Sequence, residues 1–576
     1  MKIYKIELMR IRTITFILSL LVCNLSLAQN ADRILIDGNF EDWTVNSDLV
    51  QTYLDPIGDA SVVDIEKLEL TNDEEYLFLH LVLSAEIDLV DNFSPATRFD
   101  LFIDSDNDSN TGLSVNGIGA EYMIDFYDRR VLSYESNGSY TQLSFYDIGY
   151  AHLPTVTSDE FEFLIKRNQN GSASIGEDIK VYLRETIHDD NTGVISYKMK
   201  DDMPAFEEIS MEKPNLNHFR LFTFNTLQDG LLDDDQRYQI LRLIQAADPD
   251  IVHLNEVYNT NASYVKNQLE TILGGTWYAH KYDGENIVAS KFPLLSTYEI
   301  YYGRLGAALI DLPDSDFDKD LLAVVGHLSC CGNDDNRQDQ VDAFIEFLAD
   351  AKDPGGILEL EEGTPMLFSG DMNFVGNDDQ VNTVIDGNIA NNNLYGPDTK
   401  PDWGNGDFAD FRPNHIATPK AVTWNSRYPD PGDYPTGRLD FVFYGPSALQ
   451  PRNGFVLDTR DLSDELLAEN GLLQSDSYFA SDHLPLITDF SLVDATQVAN
   501  NLFESVSIYP NPASEAIYIQ GDIDWKSYAI KDLLGRVVGS GPVTSNSIEC
   551  SGFAPGVYMV ELYKKDKKGK SKLIIE

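Results

Sequence analysis

Short apolar runs broken by polar residues fill positions 34 to about 209, as in Tyr76-Leu77-Phe78-Leu79-His80-Leu81-Val82-Leu83, with turn-forming stretches at 104–112 and Asn137-Gly138. Alternation punctuated by Gly and Asn turns predicts a β-sandwich over residues 30–209. A polar, helix-poor stretch at 204–218 predicts a linker. The pattern then changes. Leu221-Phe222-Thr223-Phe224-Asn225 reads as a strand, and residues 234–247 as a helix with Ile240, Leu243, Ile244 and Ala247 on one face. A buried strand at 249–257 delivers Glu256 at its end. Further strands are expected at 287–289, 307–310 and 321–328, and a helix with Val341, Phe344, Ile345 and Leu348 on its apolar face. Strand-like runs return at 365–373, 438–443 and 481–486, nearly all with a polar residue at one end. Strands alternating with helices predict an α/β unit over 217–492. After a second linker at 494–505, residues 505–576 alternate again and predict a small β-sandwich.

Three patterned stretches in 576 residues imply a multidomain protein. The chain opens with Lys2, Lys5, Arg10 and Arg12, an apolar run at 15–22, then Ser26-Leu27-Ala28. That order predicts a signal peptide over 1–28; a lipoprotein site at Cys23 is opposed by the bulk of Val22. No stretch reaches about 18 uninterrupted apolar residues, so no transmembrane segment is expected in the mature protein. Cys330, Cys331 and Cys550 are too few for a disulfide scaffold. Adjacent Cys330 and Cys331 either form a strained vicinal disulfide or stay free and partly buried, the reading preferred here. The net charge of -52 solvates the surface and argues against tight, metal-free binding to duplex DNA. It does not exclude a nucleic-acid substrate, because metal ions reverse the field of an acidic cleft.

The opening Ile36-Asp37-Gly38-Asn39-Phe40-Glu41-Asp42-Trp43, with Phe102-Ile103-Asp104-Ser105-Asp106-Asn107-Asp108 and Thr111-Gly112, resembles the family 9-like carbohydrate-binding sandwiches attached to secreted bacterial enzymes. The resemblance implies a glycan partner. Asp104, Asp106 and Asp108 alternate in a tight turn, which is either a calcium site or an Asx-rich turn without metal. Trp43 either stacks on a sugar or plugs the core, the commoner role at a strand start.

In the tail, Ile508-Tyr509-Pro510-Asn511-Pro512-Ala513, Asp532-Leu533-Leu534-Gly535-Arg536 and Ala554-Pro555-Gly556-Val557-Tyr558 resemble the C-terminal sorting domain of the type IX secretion system of Bacteroidota. This implies passage through the periplasm of a Gram-negative bacterium, type IX machinery as partner, and a secreted or cell-surface product.

In the large unit, Asn225, Glu256-Val257, His327, Gly370-Asp371-Met372-Asn373, Arg438-Leu439-Asp440 and Ser481-Asp482-His483 occur in order. The ordered set resembles the endonuclease/exonuclease/phosphatase superfamily, which implies a four-layer α/β sandwich with the site at one edge. A phosphodiester resists attack because its oxygens are negative, so hydrolysis calls for a hard cation with oxygen ligands and a base to sharpen water. The resemblance implies Mg2+ or Mn2+ on Glu256, supported by Asn225 and Asp482, with Asp371 and Asn373 positioning water and phosphate oxygens. It implies a His483-Asp440 dyad, and His327 to protonate the leaving oxygen or stabilise the transition state. Two further positions resemble the deoxyribonuclease I branch: Glu285 as a partner of His327, and Arg304 as a phosphate clamp. Taken singly, each residue has a plainer reading: His327 a core histidine, Asp371 a turn residue, Asp440 an ion-pair partner, Asn225 a strand cap. His253 and His218 keep their structural readings.

The function expected is a secreted, metal-dependent phosphodiester hydrolase, an endonuclease on DNA or RNA. The alternatives are a phosphodiesterase or phosphatase on a lipid headgroup or phosphorylated sugar, and a non-catalytic glycan-binding surface protein. The last predicts loss of the metal and base residues, all of which are present.

Overall fold

The computed structural model describes residues 33–493 and 504–575, apart from 57, 59, 61, 92–94, 169–173, 202, 204–205, 515, 521–524, 532–536, 544–546 and 565–566. The expected signal peptide, most of the second linker and the sorting motif at 532–536 lie outside the described residues. No described helix is long and apolar enough to cross a membrane. The chain divides into two compact units between Leu492 and Val493.

The first unit opens with two β-sheets. One orders its strands Gln51–Leu54, Ile65–Asn72, Tyr76–Ile87, Ser158–Lys166 and Ala151–Leu153; the other is built around Asp178–Glu185, Phe99–Asp104 and Tyr122–Asp125. Leu68, Leu79, Leu81 and Phe163 from the first share one core with Leu101, Ile103, Ile124 and Val181 from the second. Trp43 is a core plug: it is 2% exposed, and its Nε1 donates to Glu162 Oε2 at 2.9 Å.

The α/β region follows, with its strands labelled here from β1. The first sheet runs β3 (Tyr278–Lys281), β4 (Ile287–Ser290), β2 (Ile251–Asn255), β1 (Phe219–Asn225), β12 (Leu486–Leu492), β11 (Leu449–Val456). The second runs β5 (Leu294–Tyr301), β6 (Leu305–Ile310), β7 (Leu321–His327), β8 (Met366–Asp371), β10 (Asp440–Tyr444), β9 (Ala409–Phe411). Leu221 and Ile251 of the first sheet pack with Ala323, Leu367 and Val442 of the second. The outer faces are covered by helices: α1 (Arg237–Ala247) and α2 (Ala262–Leu273) on the first sheet, α3 (Asp334–Lys352) and α4 (Asp379–Asp386) on the second. α1 buries Ile240, Leu243, Ile244 and Ala247, the face its 3.6-residue period predicts. Nothing but glycine fits at Gly370 of β8: its φ is 142°, and a Cβ there would lie 2.0 Å from Gly326 O on β7.

The stretch expected to link the two regions is packed, not free. Ile209 N donates to Ile416 O, and Met211 O accepts from Arg220, which is locked on Asp489. The β-rich region also docks directly on the α/β region. Thr155 Oγ1 donates to Phe374 O and Arg438 O, and Thr157 N to Gly376 O. Arg412 reaches the carbonyl of Gly38 while pairing with Asp410, which also holds Arg438.

In the second unit, strands Glu504–Ser505, Lys567–Ile575, Gly556–Lys564, Ser527–Lys531 and Val537–Pro542 form a five-stranded sheet, and Ser507–Tyr509, Ala516–Gln520 and Ser547–Glu549 a three-stranded one. Ile517, Ile530, Val560 and Leu573 fill their common core. Cys550 is free and buried, whereas Cys330 and Cys331 are free and exposed, in place of the partial burial expected.

Candidate active site

Sheet register places most of the candidate residues. Across β7, β8 and β10, His327 pairs with Asp371 and Asp371 with Asp440, so three strands end at one level. Neighbouring strands lie about 4.8 Å apart, within reach of one side chain. On the facing sheet Asn225 pairs with Asn255, the residue before Glu256. Glu256 leaves β2 in the left-handed region, φ 57°, which turns the chain at the strand tip.

Asp371 is the hub. Its Oδ2 accepts from Asn225 Nδ2 at 2.9 Å and lies 3.3 Å from His327 Nε2 and 3.5 Å from His483 Nε2. Its Oδ1 accepts the backbone N–H of Asn373 at 3.1 Å. Asn373, with φ 50°, donates its side chain to Leu328 O. His483 Nδ1 sits 2.7 Å from Asp440 Oδ2, on a carboxylate with no solvent exposure. His327 Nδ1 faces Glu285 Oε1 at 3.2 Å, a charge contact without hydrogen-bond alignment. Arg304 pairs with the same Glu285 oxygen and reaches the His327 carbonyl. Glu256 accepts from Asn225 Nδ2 at 3.1 Å and from Gln228 N at 2.7 Å. Asp482 accepts from Trp424 Nε1 at 3.4 Å and from Ser481 Oγ at 3.4 Å.

The charges follow from this packing. Burial alone would push both imidazoles down, but the surrounding carboxylates reverse it. His327 is raised to about 10 by Asp371 and Glu285, and His483 to about 10 by Asp440 and Asp371. Burial opposes ionisation of Asp371 too, yet the two histidines and Asn225 hold it down at about 2. Asp440 is raised, burial outweighing His483. Glu285 is lowered: burial pushes it up, and His327, Tyr258 and Arg304 pull it further down. The site therefore alternates cation and anion in a buried row.

Several supporting residues carry no sequence signal of their own. Asn255 Oδ1 accepts Asp371 N, and its amide donates to Asn286 and to Gly326 O, tying the two sheets together behind the site. Thr423 Oγ1 accepts both Leu439 N and Asp440 N and so fixes the start of β10. Position next to Glu256 could have flagged Asn255; nothing local flags Thr423. His253 is structural: it meets Ser369 Oγ at 2.8 Å, and burial lowers it to about 3.

Glu256 and Asn225 offer oxygen donors at the strand tips, the donor type Mg2+ and Mn2+ prefer. Asn225 presents its amide nitrogen to both carboxylates while its Oδ1 accepts the Leu227 N–H at 3.0 Å. The donor set fits a hard cation.

Residues 215–483 match the endonuclease/exonuclease/phosphatase family, and residues 507–576 match the secretion system C-terminal sorting domain. Among solved structures, the catalytic domain of human nocturnin is similar at 18% identity, covering 48% of this chain and 95% of that one with a TM-score of 0.31. ANGEL2, a 2',3'-cyclic phosphatase, aligns at 17% identity over 48% of this chain and 96% of that one, TM-score 0.33. A family protein from Bacteroides thetaiotaomicron aligns at 14% identity over 48% and 98%, TM-score 0.29. No curated protein matches. The chain thus carries an endonuclease/exonuclease/phosphatase family domain, that of an enzyme acting on phosphoester bonds, followed by a sorting domain that directs export to the cell surface or beyond.

Proposed function

We propose that this protein is an exported phosphodiester hydrolase that uses a divalent metal and cleaves nucleic acid, and that the α/β region is a four-layer sandwich built to hold its site. One observation carries the reading: Asp371 Oδ2 gathers Asn225, His327 and His483 within 3.5 Å, with Asp440 behind one histidine and Glu285 behind the other. Glu256 and Asn225 would hold Mg2+ or Mn2+, with Asp482 reaching it through water or a second ion. Bound there, the metal supplies positive charge to a phosphoryl oxygen.

The protein's own groups do the rest. His327, held as an imidazolium, presents Nε2–H to the oxygen that leaves, with Glu285 keeping the ring oriented. His483 is turned by Asp440 so that Nε2 faces the cleft. Its proton affinity comes from surrounding carboxylates, so any cation neutralising Asp371 or Asp482 brings it toward the range of a base. Asp371 and Asn373 orient the attacking water and the phosphate oxygens. Arg304, paired with Glu285 at the mouth, supports a phosphate clamp, and this chain of Arg304, Glu285 and His327 favours nucleic acid over a lipid or sugar phosphate.

The test is hydrolysis by the mature chain of plasmid DNA, RNA, a generic phosphodiester and sphingomyelin, each with Mg2+ and with chelator. DNA or RNA cleavage that needs Mg2+ and disappears in Glu256→Ala is expected. Equal behaviour of wild type and Glu256→Ala on every substrate would end the enzymatic reading, and cleavage of sphingomyelin alone would end the nuclease one.

A further inference from the structure

Far along the chain from the active-site motifs, three carboxylates meet in the N-terminal β-rich region. Oxygens of Asp104, Asp106 and Glu121 lie within 4.8 Å of one another. Asp104 ends the strand Phe99–Asp104 and has no exposure; Glu121, 6% exposed, falls between the strands Ile118–Ala120 and Tyr122–Asp125; Asp106 is exposed.

Two observations set this cluster apart from an ordinary acidic turn. First, it is unsatisfied. Glu121 Oε2 accepts from Ser105 N at 2.8 Å and Ser105 Oγ at 3.1 Å, but Glu121 Oε1 and Asp104 Oδ1 are buried with no hydrogen-bond partner among the described residues. Asp104 Oδ2 has only a long bond from Gly119 N at 3.4 Å and the Lys180 ammonium at 3.7 Å. Asp106 is met by the Thr111 hydroxyl at 3.1 Å and 3.2 Å. Two buried carboxylate oxygens without partners are costly in a folded protein unless a cation meets them.

Second, the backbone brings further oxygens to the same place. A Cβ at Gly119 would lie 2.2 Å from Thr111 O and 2.5 Å from Asp108 O; one at Gly112 would lie 2.4 Å from Ala120 O and 2.8 Å from Glu121 Oε1. Glycine at both positions lets the 108–120 backbone pack closely enough to bring these carbonyl oxygens up to the carboxylates. An ion can reach it, because Asp106, Thr111 and Glu121 form one wall of a cleft of about 620 Å³ whose other side includes Tyr134, Asn137 and Thr141.

We propose that Asp104, Asp106 and Glu121 form a calcium site, with main-chain carbonyls of the 108–120 hairpin at its rim. An all-oxygen, multi-carboxylate set with backbone contributions is the donor chemistry of Ca2+. The ligand set differs from the turn pattern Asp104, Asp106 and Asp108. Asp108 turns its Oδ1 to Asn110, accepting the N–H at 3.0 Å and the Nδ2 at 2.7 Å, and it is Glu121, from across the hairpin, whose oxygen falls beside those of Asp104 and Asp106. The site stands whether or not the phosphoesterase assignment does.

Calorimetric titration of the mature chain with CaCl2, in a large excess of Mg2+ to saturate the active site, tests it. One Ca2+ per chain is expected, bound in the range of extracellular modules, about 10⁻³ to 10⁻⁴ M, or tighter. Glu121→Gln should abolish the binding. Asp106→Asn, at an exposed position where the amide oxygen can still accept from Asp108 N and Thr111, should weaken it at least tenfold and leave Mg2+-dependent phosphodiester hydrolysis unchanged. Calcium should raise the melting temperature of the wild type and not of Glu121→Gln. Absence of Ca2+ uptake by the wild type, or uptake equal in wild type and Asp106→Asn, would overturn the proposal; the second result decides even if Glu121→Gln fails to fold.

Discussion

His327 closes β7 and His483 lies in the segment before β12, yet their Nε2 atoms turn on one oxygen, Asp371 Oδ2, at 3.3 Å and 3.5 Å. One carboxylate thus contributes to the charge of both rings. In Asp371→Asn the shared anion is gone while the shape remains, so both imidazoles should titrate at lower pH. Proton NMR of the ring signals reads this directly. Hydrolysis should fall about 10²–10⁴-fold, the usual loss for a positioned acid–base group. Ring titrations unchanged from wild type would show that Asp371 is not the hub.

The Asp440 carboxylate is buried and touches His483 at Nδ1, away from the cleft. Asp440→Asn keeps the volume but removes the charge and leaves either ring tautomer acceptable. The expected result is a loss in kcat of about 10²–10⁴-fold with KM nearly unchanged, since the residue reaches substrate only through the histidine. A rise in KM at constant kcat would place Asp440 in substrate binding.

Much of this arrangement was legible in the sequence because strand ends are local features. Asn225, His327 and Asp371 each close a strand and Glu256 directly follows one, and a run that ends in a polar residue delivers it to a sheet edge. What was not legible depends on pairing across distance. Asn255 bridges two sheets, and Thr423 secures β10 from a loop with no period. The same holds for Glu121, which meets Asp104 and Asp106 from across a hairpin, and for residues 206–218, whose polar composition hides a docked backbone.

Asp410 holds two arginines at the contact between the β-rich and α/β regions. It pairs with Arg438, which lies 3.9 Å above the Phe441 ring beside Asp440, and with Arg412, which reaches Gly38 O. Removing one partner of a buried pair leaves charge uncompensated, typically about 3–5 kcal/mol. Asp410→Ala should therefore destabilise the first unit by about that amount in urea unfolding, and should also slow hydrolysis because Arg438 precedes β10. Stability within about 0.5 kcal/mol of wild type would show that this contact does not support the fold.

The same contact carries a pH dependence. Burial raises Asp37 to about 6 and Asp42 to about 7, and raises Glu162 beside them; Arg412 and Arg438 oppose the rise at Asp37, and Asp410 adds to it. In the unfolded chain these carboxyls titrate near 4. Between about pH 4 and 7 the folded state therefore binds more protons than the unfolded one, so stability from this cluster is complete below about pH 4 and is lost as pH rises through 6 to 7. The melting temperature should fall from pH 5 to 8, with a free-energy change of a few kcal/mol, about 4 kcal/mol from Asp37 and Asp42 together, since each tenfold gain in proton affinity on folding is worth about 1.4 kcal/mol. Asp37→Asn retains an acceptor for Asn39 N–H and removes one titrating charge, so its melting temperature should fall less over the same interval. A profile for Asp37→Asn as steep as that of wild type would assign the pH response to other groups.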